Sequence, residues 1–189
     1  MKNYIIVGIV VLIVVFFLWK TKKKENPQSI RDMAKDDVNI NKPGLLTTDQ
    51  QIVEALKSIA DEYGIDTART VEKMYRLETN HFKSGQYKNT FSPGMEKHDR
   101  EYPFGWDSMK SYWDSINFVP EFHTMPENKT GKTKTFLKFP NVLIPMRSLA
   151  IYVKKYAPER WYSKNPVKQA EYRNSLNSIK PRIVNTFTA

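Results

Sequence analysis

The chain has 189 residues, a formal charge of +10 and no cysteine, so disulfides and thiolate–metal sites are excluded. Five of the positive charges are Lys2, Lys20, Lys22, Lys23 and Lys24; residues 25–189 keep 25 of the 30 Lys and Arg against all 20 Asp and Glu, a surplus of 5. That mild basicity suits an anionic polymer such as cell wall and is too weak to point to nucleic acid.

The first element is Tyr4–Trp19, YIIVGIVVLIVVFFLW, which carries no charge. As a helix at 1.5 Å per residue it covers about 24 Å, slightly short of the roughly 30 Å hydrocarbon core. Tyr4 and Trp19 place amphipathic rings at its two ends, and Lys2 and Lys20 can snorkel outward. The apolar run passes into a Lys run with no small-residue cleavage site, so a retained single-pass anchor in a lipid membrane is expected rather than a signal peptide. Residues 1–24 are thus read as the anchor with its basic flank. Residues 25–46, polar and punctuated by Pro27, Pro43 and Gly44, are read as a flexible tether.

A folded domain is expected over residues 47–189. Thr48-Asp49-Gln50-Gln51 fits a capping box, followed by Ile52, Leu56, Ile59, Ala60 and Tyr63 at helical spacing and a stop at Gly64. Asp66 is the expected cap of a second helix, with Ala68, Val71, Met74 and Tyr75 inward and an end near Asn80. Residues 81–140 show no sustained periodicity and are rich in Gly, Pro and aromatics; short strands are expected around Lys132–Phe139. Helix returns at Pro145, with Met146, Leu149, Ala150 and Val153 on one face. A last helix starts at Pro166, runs through Ala170, Tyr172 and Leu176, and ends or restarts at Pro181. The fold class read from this is mainly α, with a long irregular insert between two helical groups and one transmembrane helix ahead of the domain.

Glu78 is the residue that carries chemistry. Val71, Met74, Tyr75 and Glu78 stand at i, i+3, i+4 and i+7, so a carboxylate shares the apolar stripe of its helix. Desolvation of the charged form raises a carboxyl pKa, which is what a general acid needs near neutral pH. An ion pair, or exposure at a fraying helix end, would explain the spacing equally well.

The residues that follow, Glu78-Thr79-Asn80-His81-Phe82, Ser84-Gly85 and Ser92-Pro93-Gly94, resemble the E-S-x-F…S-x-x-G pattern of the lysozyme-like superfamily, which includes lytic transglycosylases, goose-type lysozymes and cell-wall endo-β-N-acetylglucosaminidases. Pro103-Phe104-Gly105-Trp106 resembles the glucosaminidases' FG segment and departs from the transglycosylases' G-L-M-Q. The stretch FPNVLIPMRSLAIYVKKYAPERWY is similar to the glucosaminidase ending, and the likeness spans about residues 48–180. The resemblance implies a lysozyme-like α+β domain with Glu78 at a helix end as the catalytic acid. It implies cleavage of β-1,4 glycan bonds of peptidoglycan with no cofactor, and a tyrosine near the cleft from the Tyr152–Tyr156 region.

Sugar-facing roles follow from the flat apolar face of a pyranose, which packs on aromatic rings. Trp106, Tyr102 and Tyr112 are the expected rings, with Asn80 and Ser92 as polar neighbours and Tyr152 as the late-helix tyrosine; core packing is the expectation for Phe104 and Trp113. Glu96, Asp99, Glu101 and Asp107 are candidates for a second carboxylate. His81, His98 and His123 lack metal-ligand spacing, so no metal is expected. Asn128-Lys129-Thr130 fits a glycosylation acceptor pattern that recurs by chance.

The function expected is a membrane-anchored peptidoglycan glycosidase, hydrolase or lytic transglycosylase. The alternative is a non-catalytic structural or assembly protein that binds cell wall or a virion membrane. The Lys excess after the span places the domain on the cytoplasmic side. That suits a virion-associated lytic enzyme of a phage, with virion or assembly proteins as partners, better than a bacterial autolysin. Location is accordingly the bacterial inner membrane or the membrane of a phage particle.

Overall fold

A computed structural model describes residues 48–96, 106–126 and 131–187. The expected span Tyr4–Trp19, the tether, and Asp99, Glu101, Tyr102 and Phe104 lie outside them. The described residues are mainly helical, with one two-stranded sheet. No helix among them is long and apolar enough to cross a membrane.

Helix α1 (Thr48–Tyr63) buries Ile52, Ala55, Leu56 and Ile59. It stops at Gly64, whose φ of +91° is open to glycine and strained for any residue with a Cβ. Gly64 donates its N–H to the Ala60 carbonyl at 3.0 Å and is itself the N-cap of α2 (Ile65–Glu78). Asp66 therefore lies inside the first turn rather than at the cap, where its charge faces the helix N-terminus. The inward stripe is as spaced: Ala68, Val71, Met74 and Tyr75 are all fully buried. Each aliphatic side chain so buried contributes about 1.5–3 kcal/mol. The helix closes at Glu78, two residues before the expected end, because the Thr79 hydroxyl donates to the Tyr75 carbonyl and the next three residues turn left-handed.

The expected irregular insert holds more regular structure than its composition indicates. It contains α3 (Gly85–Thr90), capped by the Ser84 side chain, α4 (Trp106–Ser115) and β1 (Glu121–Pro126). Strand β1 pairs antiparallel with β2 (Thr133–Lys138), with Phe122 opposite Leu137 and His123 opposite Phe136. On the other side of β2, Leu137 N–H donates to the Met95 carbonyl and Phe139 N–H to the Thr90 carbonyl, both at 2.9 Å. These bonds tie the hairpin to the segment after α3.

Helix α5 (Leu143–Lys155) starts two residues before Pro145, where the Asn141 side chain accepts from the Leu143 and Ile144 N–H groups. Every residue from 141 to 150 is buried. A helix apolar nearly all round is a central one, and α1, α2 and α4 pack around α5. Its polar side chains are paired: Ser148 Oγ accepts from Trp113 Nε1 at 2.7 Å, and Arg147 joins Glu62 of α1. A 3-10 turn (Pro158–Trp161) leads to α6 (Pro166–Ser178), capped by Asn165, whose side chain accepts from Val167 and Lys168. Helix α6 buries Tyr172 and Leu176, whereas Ala170 faces solvent. The chain then returns to α2 through a second 3-10 turn (Val184–Thr186).

Candidate active site

Glu78 ends α2, and the backbone beyond it is held open by an unusual turn. Asn80, His81 and Phe82 have φ of +49°, +57° and +66°, three consecutive residues in a region that costs about 1–2 kcal/mol each without glycine. Thr79 supports the turn: its hydroxyl accepts from Phe82 N–H at 2.9 Å, and its carbonyl accepts from Lys83 and Ser84 at 3.0 and 2.9 Å. The Phe82 ring stacks on Tyr75 at 5.9 Å and meets Tyr87 edge-on at 5.6 Å. The strain is thus paid off against a buried aromatic cluster. These contacts give Thr79 and Phe82 of the Glu-Thr-x-x-Phe pattern a local structural reason.

The Glu78 carboxyl is lined by groups from two distant segments. Tyr172 Oη of α6 donates to Oε1 at 2.7 Å. Oε2 faces Gly94, where an added Cβ would sit 3.8 Å away. Gly94 has φ +82°, and the loop before it is fixed by Ser92, whose Oγ accepts from Met95 N–H at 2.8 Å, and by Tyr75 Oη donating to the Phe91 carbonyl at 3.2 Å.

Burial dominates the electrostatics. It pushes the Glu78 pKa from 4.5 up to about 7, against the downward pull of the Tyr172 hydrogen bond. Burial and the neighbouring carboxyl push the Tyr172 hydroxyl well above its ordinary value, so it remains a donor. With Oε1 accepting from Tyr172, Oε2 is left to carry the acid proton toward Gly94. Near neutral pH this carboxyl is poised to give up a proton. Tyr172→Phe keeps the ring and removes the one interaction that lowers the pKa, so the Glu78 titration is expected to move upward from about 7. Carboxyl-carbon NMR across a pH series reads this directly; an unchanged or lower midpoint would contradict the arrangement.

The other expected site residues are placed as follows. Asn80 is exposed, two residues from Glu78, in the left-handed turn. Ser92 is fully buried and shapes the Gly94 loop from inside. Tyr112 lies in the core with the Arg147 guanidinium 5.8 Å over its ring, and Tyr152 is fully buried between Tyr156 and Trp161, each 5.2 Å away. Neither ring lines an open surface. Trp106 opens α4, and Trp113 is in the core as expected. Of the candidate second carboxylates, Glu96 pairs with Lys134 at 3.1 Å and Asp107 is exposed in the first turn of α4. Among the described residues no group of His, Asp and Glu is arranged to hold a metal ion.

Three participants were not singled out by spacing. Tyr172 is 94 positions from Glu78 and looks from sequence like an ordinary apolar position of α6. Tyr162 stacks on Tyr172 at 5.3 Å with planes 10° apart, yet remains 57% exposed. Glu72 lies on α2 with Glu78, fully buried where Glu78 is half-buried, and the rule that marked Glu78, a carboxylate on an apolar stripe, marks it too. The two carboxylates have different surroundings. Glu72 is fully buried and pairs with Arg76 at 2.7 Å, whereas Tyr172 alone among the described side chains bears electrostatically on Glu78.

Against protein-family models, curated proteins and solved structures, the chain matches none.

Proposed function

We propose that this chain is a peptidoglycan-cleaving glycosidase of lysozyme-like type, held at a membrane by Tyr4–Trp19, with Glu78 as its catalytic acid. The observation that carries the reading is the Glu78 carboxyl: at a helix end, pushed to about 7 by burial, with one oxygen held by Tyr172 and the other toward Gly94. In this reading Oε2 gives its proton to the bridging oxygen of a β-1,4 bond, the bond from that oxygen to the anomeric carbon breaks, and a cation-like sugar develops. The Glu78 anion then takes a proton from the group that captures the sugar, either water or the sugar's own 6-hydroxyl.

Two-carboxylate schemes place the partner roughly 5–9.5 Å from the acid. A one-carboxylate scheme lets the acid serve both steps, with capture by the 6-hydroxyl. Mass spectrometry of wall digests separates the two: anhydro ends mark capture by the 6-hydroxyl, reducing ends capture by water. Glu78→Gln keeps the shape and removes the proton, so it should leave no cleared band in a peptidoglycan zymogram. Clearing at the unmodified rate would sink the assignment. Wall retained by the unmodified protein without any cleavage would favour the non-catalytic binding role.

Tyr162 supports the reading as a sugar platform. One ring face rests on Tyr172 and the ring is otherwise largely exposed, one residue away from the acid, and pyranose faces pack on such rings. Tyr162→Ala is expected to raise KM about tenfold, a loss typical of one aromatic contact, with kcat little changed; Tyr162→Trp should retain binding. A kcat loss with constant KM would remove Tyr162 from the substrate surface.

A further inference from the structure

Among the described residues the most heavily bonded buried carboxylate is Glu72, on the same helix as the proposed acid and outside its chemistry. Its side chain has no solvent exposure. Oε1 accepts from Arg76 Nε at 2.7 Å and from Ile183 N–H at 2.9 Å; Oε2 accepts from Ile183 N–H at 3.2 Å and from Val184 N–H at 2.8 Å. Ile183 and Val184 open the 3-10 turn Val184–Thr186, and Val184 is fully buried. A carboxylate there satisfies N–H groups that would otherwise be buried without partners. Arg76 extends the link, with its guanidinium 5.4 Å over the Phe82 ring and its carbonyl accepting from His81 N–H at 2.7 Å. Glu72 thus touches the segment downstream of α6 directly, and the left-handed turn after Glu78 through Arg76.

Helix α6 needs such a fixture. It packs mainly on α2 and on the 3-10 turn Pro158–Trp161, and only Tyr172 and Leu176 of its thirteen residues are buried. Its exposed flank adds Arg173 to Glu159, a surface pair of the kind that contributes little. Without an anchor beyond its C-terminus, α6 would be held against Glu78 by those two side chains and that pair.

We propose that Glu72 is a positioning residue: by gripping Ile183 and Val184 it keeps α6 seated on α2, and so keeps the Tyr172 hydroxyl and a dry surface against Glu78. The inference rests on the acid role proposed for Glu78 only in its bearing on turnover; the seating itself is a property of the fold and is testable without substrate. Two variants release the grip in different ways. Glu72→Gln removes the charge and leaves one amide oxygen where two carboxylate oxygens accepted. A chain ending at Arg182 leaves Glu72 and Arg76 intact and removes the backbone partners of Glu72. It should fold, because among the described residues that it loses only Val184 is fully buried.

The reading is the Glu78 midpoint by carboxyl-carbon NMR, in the chain carrying Glu72→Gln and in the chain ending at Arg182. Tyr172 is the titratable side chain that bonds Glu78 from α6. Loosening α6 both hydrates Glu78 and loses the Tyr172 bond. Burial is the larger influence, so the midpoint should fall by about one unit or more. This is the opposite direction to Tyr172→Phe, which removes the bond and keeps the site dry. A midpoint unchanged in the truncated chain, with its fold intact by circular dichroism, overturns the proposal. Should Glu72→Gln fail to fold, the truncated chain decides. If the midpoint falls as stated in these variants but the unmodified protein does not cleave wall, the positioning role stands and the glycosidase reading fails.

Discussion

At pH 8, Glu78→Gln is expected to be more stable than the unmodified protein by on the order of 3 kcal/mol. The sign follows from proton binding. The folded pKa is about 7 against an ordinary 4.5. Between these values the folded protein holds a proton that the unfolded chain has released, so stability falls as pH rises from about 4.5 to about 7 and is level above. Each unit of difference is worth about 1.4 kcal/mol. Glutamine is neutral at every pH and escapes this penalty, and its amide oxygen can still accept from Tyr172. Near pH 4 the native carboxyl is neutral in both states and the advantage should vanish. Urea midpoints at pH 4, 6 and 8 test it. A difference between the two proteins that does not change with pH would mean that Glu78 is not desolvated in the folded chain.

Phe139→Ala is expected to cost about 4 kcal/mol, a large part of the stability of a domain this size. Phe139 is 1% exposed; its ring stacks on Phe118 at 5.5 Å and meets Trp113 edge-on at 5.8 Å, and its N–H reaches the Thr90 carbonyl. It therefore joins α4, the hairpin and the segment that runs on to Gly94. Phe139→Leu keeps most of the volume and should cost about 1.5 kcal/mol or less. Urea unfolding followed by tryptophan fluorescence compares the two, since Trp113 reports from the same cluster. Equal losses would mean that ring geometry, rather than filled volume, is what the site requires.

The parts of the fold legible in sequence are those whose cause is local. The stripe Ala68, Val71, Met74 and Tyr75 repeats within one helix, Gly64 stops the chain where a positive φ is needed, and Asn165-Pro166 starts α6 with a side-chain acceptor and a ring that needs no partner. Helix α4 was hidden by residue type rather than by pattern. Met109, Tyr112, Trp113 and Ile116 are all buried at helical spacing, but tyrosine suits a sugar surface as well as a core, and reading Tyr112 as the first conceals the stripe it shares with Trp113. Glu78 was legible because a charge on an apolar stripe is a local contradiction. Tyr172 and Tyr162 were not, because only the return of the chain brings them to it. The same holds for Glu72, whose backbone partners are 111 and 112 positions away.

The turn after Glu78 also bears on how freely this gene can drift. Asn80 and His81 are both exposed, and exposed positions ordinarily accept almost any replacement. Here the backbone dihedrals do the selecting. Glycine, asparagine and aspartate tolerate φ near +50°, whereas valine and isoleucine do not. Substitutions at these two positions should therefore be filtered by shape at the Cβ rather than by polarity. Solvent access alone would overstate their tolerance, and two residues with little visible packing would vary as narrowly as a core.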